Sequence, residues 1–118
     1  MKNTIYNSAS SVLIYIPDNK SYRNMLAVLI KRVLAPGMET TYEDFSRKIV
    51  QAAIPAQGFI SSKAFKDIND PCVRFALIQM ETLADWQAWQ QSAERAEALG
   101  PIQPLMLEPE SISILTTA

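Results

Sequence analysis

The stretch Met25–Met38, MLAVLIKRVLAPGM, decides the fold. In an extended chain Met25, Ala27, Leu29 and Val33 share one face, and Leu26, Val28, Ile30 and Leu34 share the other. Only Lys31 and Arg32 carry charge before Ala35-Pro36-Gly37 ends the run. A strand that is apolar on both faces is covered on both faces. The helices of one small domain supply one cover. The second cover calls for a partner, most simply another copy of the chain.

Downstream, Thr40-Thr41-Tyr42-Glu43 has the hydroxyl-x-x-carboxylate spacing of a capping box, with Thr40 as cap and Glu43 reaching back. It opens a helix over about residues 40–54, whose apolar stripe is Tyr42, Phe45, Ile49, Ala52 and Ala53. Pro55 ends it, because proline disfavours helical geometry in the residue before it. Gly58 leads into a strand over 59–67 that alternates poorly, Asn69-Asp70-Pro71 makes a turn, and 73–81 returns as the second strand of a hairpin. Thr82 with Asp85 three residues on caps a second helix, with stripe Leu83, Trp86, Trp89, Ala93, Ala96 and Leu99. Ser92 is a second cap, where that helix can bend. Gly100-Pro101 stops it, and Ser111–Leu115 alternates as the last strand. Upstream, residues 1–9 read as a loose polar arm and 11–16 as a short extra strand, pairing at a sheet edge or in a dimer contact; a docked extended arm is the alternative. Residues 18–24 read as a polar loop. The chain therefore divides into an extension, 1–24, and a domain, 25–118. The domain's order, β-α-β-β-α-β, is the ferredoxin-like α+β arrangement: an antiparallel sheet with a helix layer on one face.

Composition narrows the chemistry. With 118 residues one domain is expected, and 48% hydrophobic content provides a core. Eleven basic and 12 acidic residues give a net charge of −1, no footprint for nucleic acid or anionic lipid. No apolar run has the length of a membrane helix, there is no secretory signal pattern, and the one cysteine, Cys72, fits a cytoplasmic location. There is no histidine at all. That excludes Ser-His-Asp and Cys-His catalysis, histidine-ligated haem and the usual catalytic zinc sites, so no metal site is expected.

Several pieces in this order resemble one family. They are the strand ending Ala35-Pro36-Gly37-Met38-Glu39, the helix after it, and Gly58-Phe59 opening the next strand. The hairpin turn Asn69-Asp70-Pro71 and the run Glu81-Thr82-Leu83-Ala84-Asp85-Trp86-Gln87-Ala88-Trp89 complete the set. Residues 25–116 resemble the antibiotic biosynthesis monooxygenase domain of the dimeric α+β barrel superfamily. The resemblance implies a homodimer with two sheets packed face to face. It also implies oxidation of a small aromatic or quinol-like compound by oxygen without a cofactor; a non-catalytic ligand-binding or structural dimer is the alternative. The family's haem-degrading branch uses an asparagine, a tryptophan and a histidine. Here Trp89 matches the tryptophan, but Ile30 and Leu99 stand at the other two positions, which argues against haem degradation. Met80 stands where many relatives have a tryptophan.

A site that oxidises a flat ring without a cofactor must position the ring, favour its anion and exclude water. Trp89 and Arg32 are the expected catalytic residues, the guanidinium stabilising a phenolate. Trp86, Tyr42, Phe45, Ile30, Gln79 and Met80 are the expected substrate contacts, with Arg74 a further polar candidate. Each has a competing reading: core packing for the apolar and aromatic residues, and a strand-end charge reaching solvent for Arg32. Asp85 is explained as helix-start charge, and Cys72 has no neighbouring base to activate it.

Overall fold

The computed structural model describes residues 25–118 in full and, before them, the backbone of residues 3–7 and 12–16. The two early segments form β1 (Asn3–Asn7) and β2 (Val12–Ile16), an antiparallel pair with Asn3 opposite Ile16. The extra strand thus finds its partner inside the arm expected to be loose. The polar loop expected over residues 18–24 lies outside the described residues.

The domain runs β3 (Leu26–Val33), α1 (Glu39–Ala53), β4 (Phe59–Lys66), β5 (Val73–Met80), α2 (Leu83–Gln90), α3 (Ala93–Leu99) and β6 (Ser111–Thr116). The four strands form an antiparallel sheet in the order β4-β5-β3-β6. The Met25–Met38 stretch is thus a central strand followed by its turn, and Gly37 makes that turn at φ +87°. Register fixes the faces: Val28 pairs with Ile78, Ile30 with Ala76 and Arg32 with Arg74. These side chains face the helices. Val28, Ile30, Leu34, Met80, Trp86 and Ile102 form the most deeply buried part of the core.

The opposite face carries Ala27, Leu29 and Val33 from β3 and Val73, Phe75 and Leu77 from β5, all half-buried in the single chain. Phe65 and Leu115, at its flanks, are each 44% exposed. The expectation of two apolar faces is met, and within one chain the helices cover only the first.

Helix starts are local chemistry. The Thr82 hydroxyl accepts the Asp85 N–H at 3.1 Å, and the Ser92 hydroxyl accepts the Arg95 N–H at 3.1 Å, both as the sequence predicts. Replacing either by alanine is expected to cost about 1 kcal/mol, read as a shift in the urea midpoint at constant slope. The capping box at Thr40 does not form. Helix α1 begins earlier, with Met38 at the cap position; Glu39 accepts the Gly37 N–H at 2.8 Å, and Glu43 turns instead to Arg74 at 3.0 Å. In β4 the pairing shifts between Phe59 and Ser61, so Ile60 is an unpaired bulge residue, which explains the poor alternation. Gly58 precedes it at φ +80°, and a Cβ there would collide with the Asp85 carboxylate.

Candidate functional site

Small residues create a gap on the helix side of the sheet. Ser62 and Ala64 of β4 and Ala76 of β5 face Ser46 and Ala53 of α1, and nothing large fills the space between. The resulting slot, with the open space at its mouth counted in, has about 420 Å³ free of protein atoms. Only about 30 Å³ of that admits the centre of a water-sized sphere, so the slot is narrow: it suits the edge of a flat group rather than a bulky one. Ile30, Ile78 and Trp89 add apolar wall, and Arg32 and Arg95 supply its charge.

Those two arginines are held by a single carboxylate. Arg32 is 3% exposed; its Nε and Nη2 donate to Glu110 Oε1 at 3.3 and 3.2 Å. Arg95 is 5% exposed; its Nη2 donates to Glu110 Oε1 and Oε2 at 3.1 and 2.9 Å. Glu110 itself is only 10% exposed. Among the described residues two buried cations therefore share one anion, leaving one positive charge in excess beside an apolar slot. Arg95 Nε is buried and, among the described residues, has no hydrogen-bond partner. A buried donor left unpaired is costly, and a ligand oxygen would relieve that cost.

Aromatic rings brace the cations. Tyr42 Oη accepts from Arg32 Nη1 at 3.1 Å, and the guanidinium carbons of Arg32 and Arg74 lie 6.0 and 5.8 Å from the Tyr42 ring centre. Arg95 stands 5.8 Å from the centre of the Trp86 ring. Such contacts orient a guanidinium as well as stabilise it.

Of the residues expected from sequence, Trp89, Arg32 and Ile30 line the slot together. Trp86 and Tyr42 do not line it; both are buried, Tyr42 against Arg32 and Trp86 against Arg95. Phe45 packs against the core, with Lys48 over its ring at 5.3 Å. Met80 is fully buried and does not reach the slot. Gln79 points from the opposite sheet face, where it accepts the Ser61 hydroxyl at 2.7 Å; strand parity separates it from the slot. At Cys72 desolvation, together with a hydrogen bond and charge from Glu39, pushes the thiol up, away from the reactive thiolate form.

Arg95 and Glu110 were not anticipated. The expected stripe is met at Trp86, Trp89 and Leu99, but Leu83, Ala93 and Ala96 are exposed and Arg95 is buried instead. The break between α2 and α3 resets the helical phase, so periodicity counted from Trp86 does not carry across Ser92. That cap was the signal that could have found Arg95. Among the described residues no cluster of metal-binding side chains occurs, and no helix is long and apolar enough to cross a membrane.

No protein-family model matches this chain, and no curated protein is significantly similar to it in sequence. Solved structures do match. A provisionally assigned antibiotic biosynthesis monooxygenase from Nitrosomonas europaea superposes with a TM-score of 0.74 at 15% identity, over 80% of this chain and 90% of its own. Another, from Bordetella bronchiseptica, gives 0.75 at 18% identity, over 80% and 98%. The fold is that of the antibiotic biosynthesis monooxygenases. SnoaB, a cofactor-independent oxygenase from Streptomyces nogalater, shares the monooxygenase fold with a TM-score of 0.73 at 6% identity, over 80% of this chain and 94% of its own. At these identities the likeness establishes architecture, and the chemistry has to come from the slot.

Proposed function

We propose that the protein is a cofactor-independent monooxygenase acting with oxygen on a small aromatic, quinol-like compound. The observation that carries this reading is the excess buried guanidinium charge of Arg32 and Arg95 at an apolar slot walled by Trp89 and Ile30. Such a site lowers the cost of making a phenolate. The anion is the form that passes an electron to oxygen. In the overall step one oxygen atom bonds to a ring carbon, which loses hydrogen, and the other leaves as water. A phenol plus dioxygen thus gives a quinone plus water, and the substrate supplies both electrons, so no outside reductant enters. The chain's own tasks are to hold the ring, favour its anion and keep water out.

Oxygen uptake by dialysed protein against hydroquinones, naphthols and anthrones tests this, with heat-denatured protein as control. Uptake above control is the expected result, and Trp89→Ala is expected to lower turnover about tenfold or more in protein that remains folded. A folded variant with full turnover would remove Trp89 from the site.

A second reading, a dimer that binds its ligand without reacting, is favoured by Ile30, Met80 and Leu99 at positions where relatives carry polar or aromatic groups. It predicts saturable binding with no uptake. Both readings share the homodimer, for which the uncovered apolar face of β3 and β5 is the support. Light scattering at micromolar concentration is expected to give twice the 13.2 kDa chain mass; the monomer mass would refute it.

A further inference from the structure

The slot does not end at its own mouth. Ser46 and Ala64 also line a second, more open cavity of about 280 Å³, nearer solvent, between α1 and the β4–β5 edge. Its charged walls are Arg47, Lys66, Arg74 and Glu43. Glu43 pairs with Arg74, and Arg47 pairs with Asp44 on the preceding helical turn. Lys66 has no ion-pair partner among the described residues. The balance at this cavity is therefore one positive charge in excess.

Arg74 is the built part of the cavity. Its side chain is 9% exposed. Nε donates to the Pro71 carbonyl at 2.6 Å and Nη1 to Glu43 at 3.0 Å. Nη2 is left, among the described residues, without a hydrogen bond. Arg74 also sits directly across from Arg32 in the β3–β5 register, and both flank the Tyr42 ring. Two cationic positions thus lie side by side, one inside the slot and one at its entrance.

We propose that this entrance cavity is an anion subsite, and that the compound entering the slot carries a carboxylate at the end remote from its reacting ring. The inference rests on the ring-binding reading of the slot and adds to it a substrate class, the hydroxylated aromatic acids. One excess charge matches a monoanionic carboxylate better than a dianionic phosphate. The free Nη2 of Arg74 and the ammonium of Lys66 are donors suited to its two oxygens.

Calorimetric titration of the whole chain with three probes decides the matter: 2-naphthol, 6-hydroxy-2-naphthoate and the methyl ester of that acid. The ester matches the acid in shape and lacks its charge. The acid is expected to bind about tenfold more tightly than the ester, an increment in the range of a charge-assisted hydrogen bond. Arg74→Gln is expected to abolish that preference. Because Arg74 is buried, circular dichroism checks the fold of that variant. Lys66→Gln, at an exposed position, is the second arm and is expected to reduce the preference about threefold. If naphthol and ester bind and the acid binds no better, the subsite is overturned and the slot reading stands. If none of the three binds, the slot reading fails and the subsite fails with it. If the acid's advantage survives in folded Arg74→Gln and in Lys66→Gln, the carboxylate binds elsewhere and the proposal is overturned.

Discussion

Glu110→Ala is expected to destabilise the domain by about 3–5 kcal/mol, because it strands charges that are already out of water. Glu110 is the carboxylate partner of both Arg32 and Arg95, through four contacts of 3.3 Å or less. Without it two buried guanidiniums repel each other with no anion between them. A domain of ordinary stability has about 5–15 kcal/mol to lose, so the variant would be close to unfolding at room temperature. Urea denaturation monitored by tryptophan fluorescence measures this directly, since Trp86 and Trp89 are the chain's two tryptophans and both are buried. Glu110→Gln should fall between, retaining an acceptor while losing the charge. A loss below about 1 kcal/mol for Glu110→Ala would show that solvent already screens the cluster.

Arg95→Met carries the largest expected effect on chemistry. The substitution keeps an unbranched apolar stem, and Glu110 remains paired with Arg32, so the charge cluster becomes neutral rather than frustrated. The fold should survive. The slot, however, loses its excess charge and the unpartnered Nε of Arg95. Under the monooxygenase reading, kcat for oxygen uptake should fall about 100-fold, the scale of removing a donor aimed at developing negative charge. KM for the neutral phenol should change little, because the lost interaction acts on the anion. Unchanged kcat in folded Arg95→Met would mean that the anion forms away from Arg95, and that Arg32 alone, or neither arginine, serves it.

The contrast between fold and site follows from how far apart the interacting residues lie. The central strand, both helix caps at Thr82 and Ser92, the hairpin turn and the last strand are each written in a few neighbouring residues. Local chemistry was therefore enough to order them. Arg32 and Trp89 were reachable because each sits on an element whose buried face the apolar pattern reveals. Glu110 was not: it is 78 residues from Arg32 and follows a proline-rich segment with no periodicity. Its role exists only once β6 lies beside β3. Gln79 shows the complementary error. Its type suited a polar contact, but strand parity placed it with Phe75 and Leu77, on the face turned away from the helices. The small residues that make the slot, Ser62, Ala64, Ala76 and Ala53, come from three elements and carry no signal until those elements are stacked.

The Ser92 break has a consequence for how such a pocket could change its preference. Because α3 is only seven residues long and starts afresh from its own cap, the side chain presented to the slot is selected by distance from that cap, not by the preceding helix. Inserting a single residue after Ser92 would carry Glu94 to the place Arg95 now holds and turn a cationic pocket anionic. Deleting one would bring Ala96 there and leave it neutral. The polarity of this cavity can therefore be rewritten by changing the spacing of the chain, with no substitution in the wall itself. Libraries that vary the length of the α2–α3 joint would explore ligand charge more directly than libraries that vary the slot's residues.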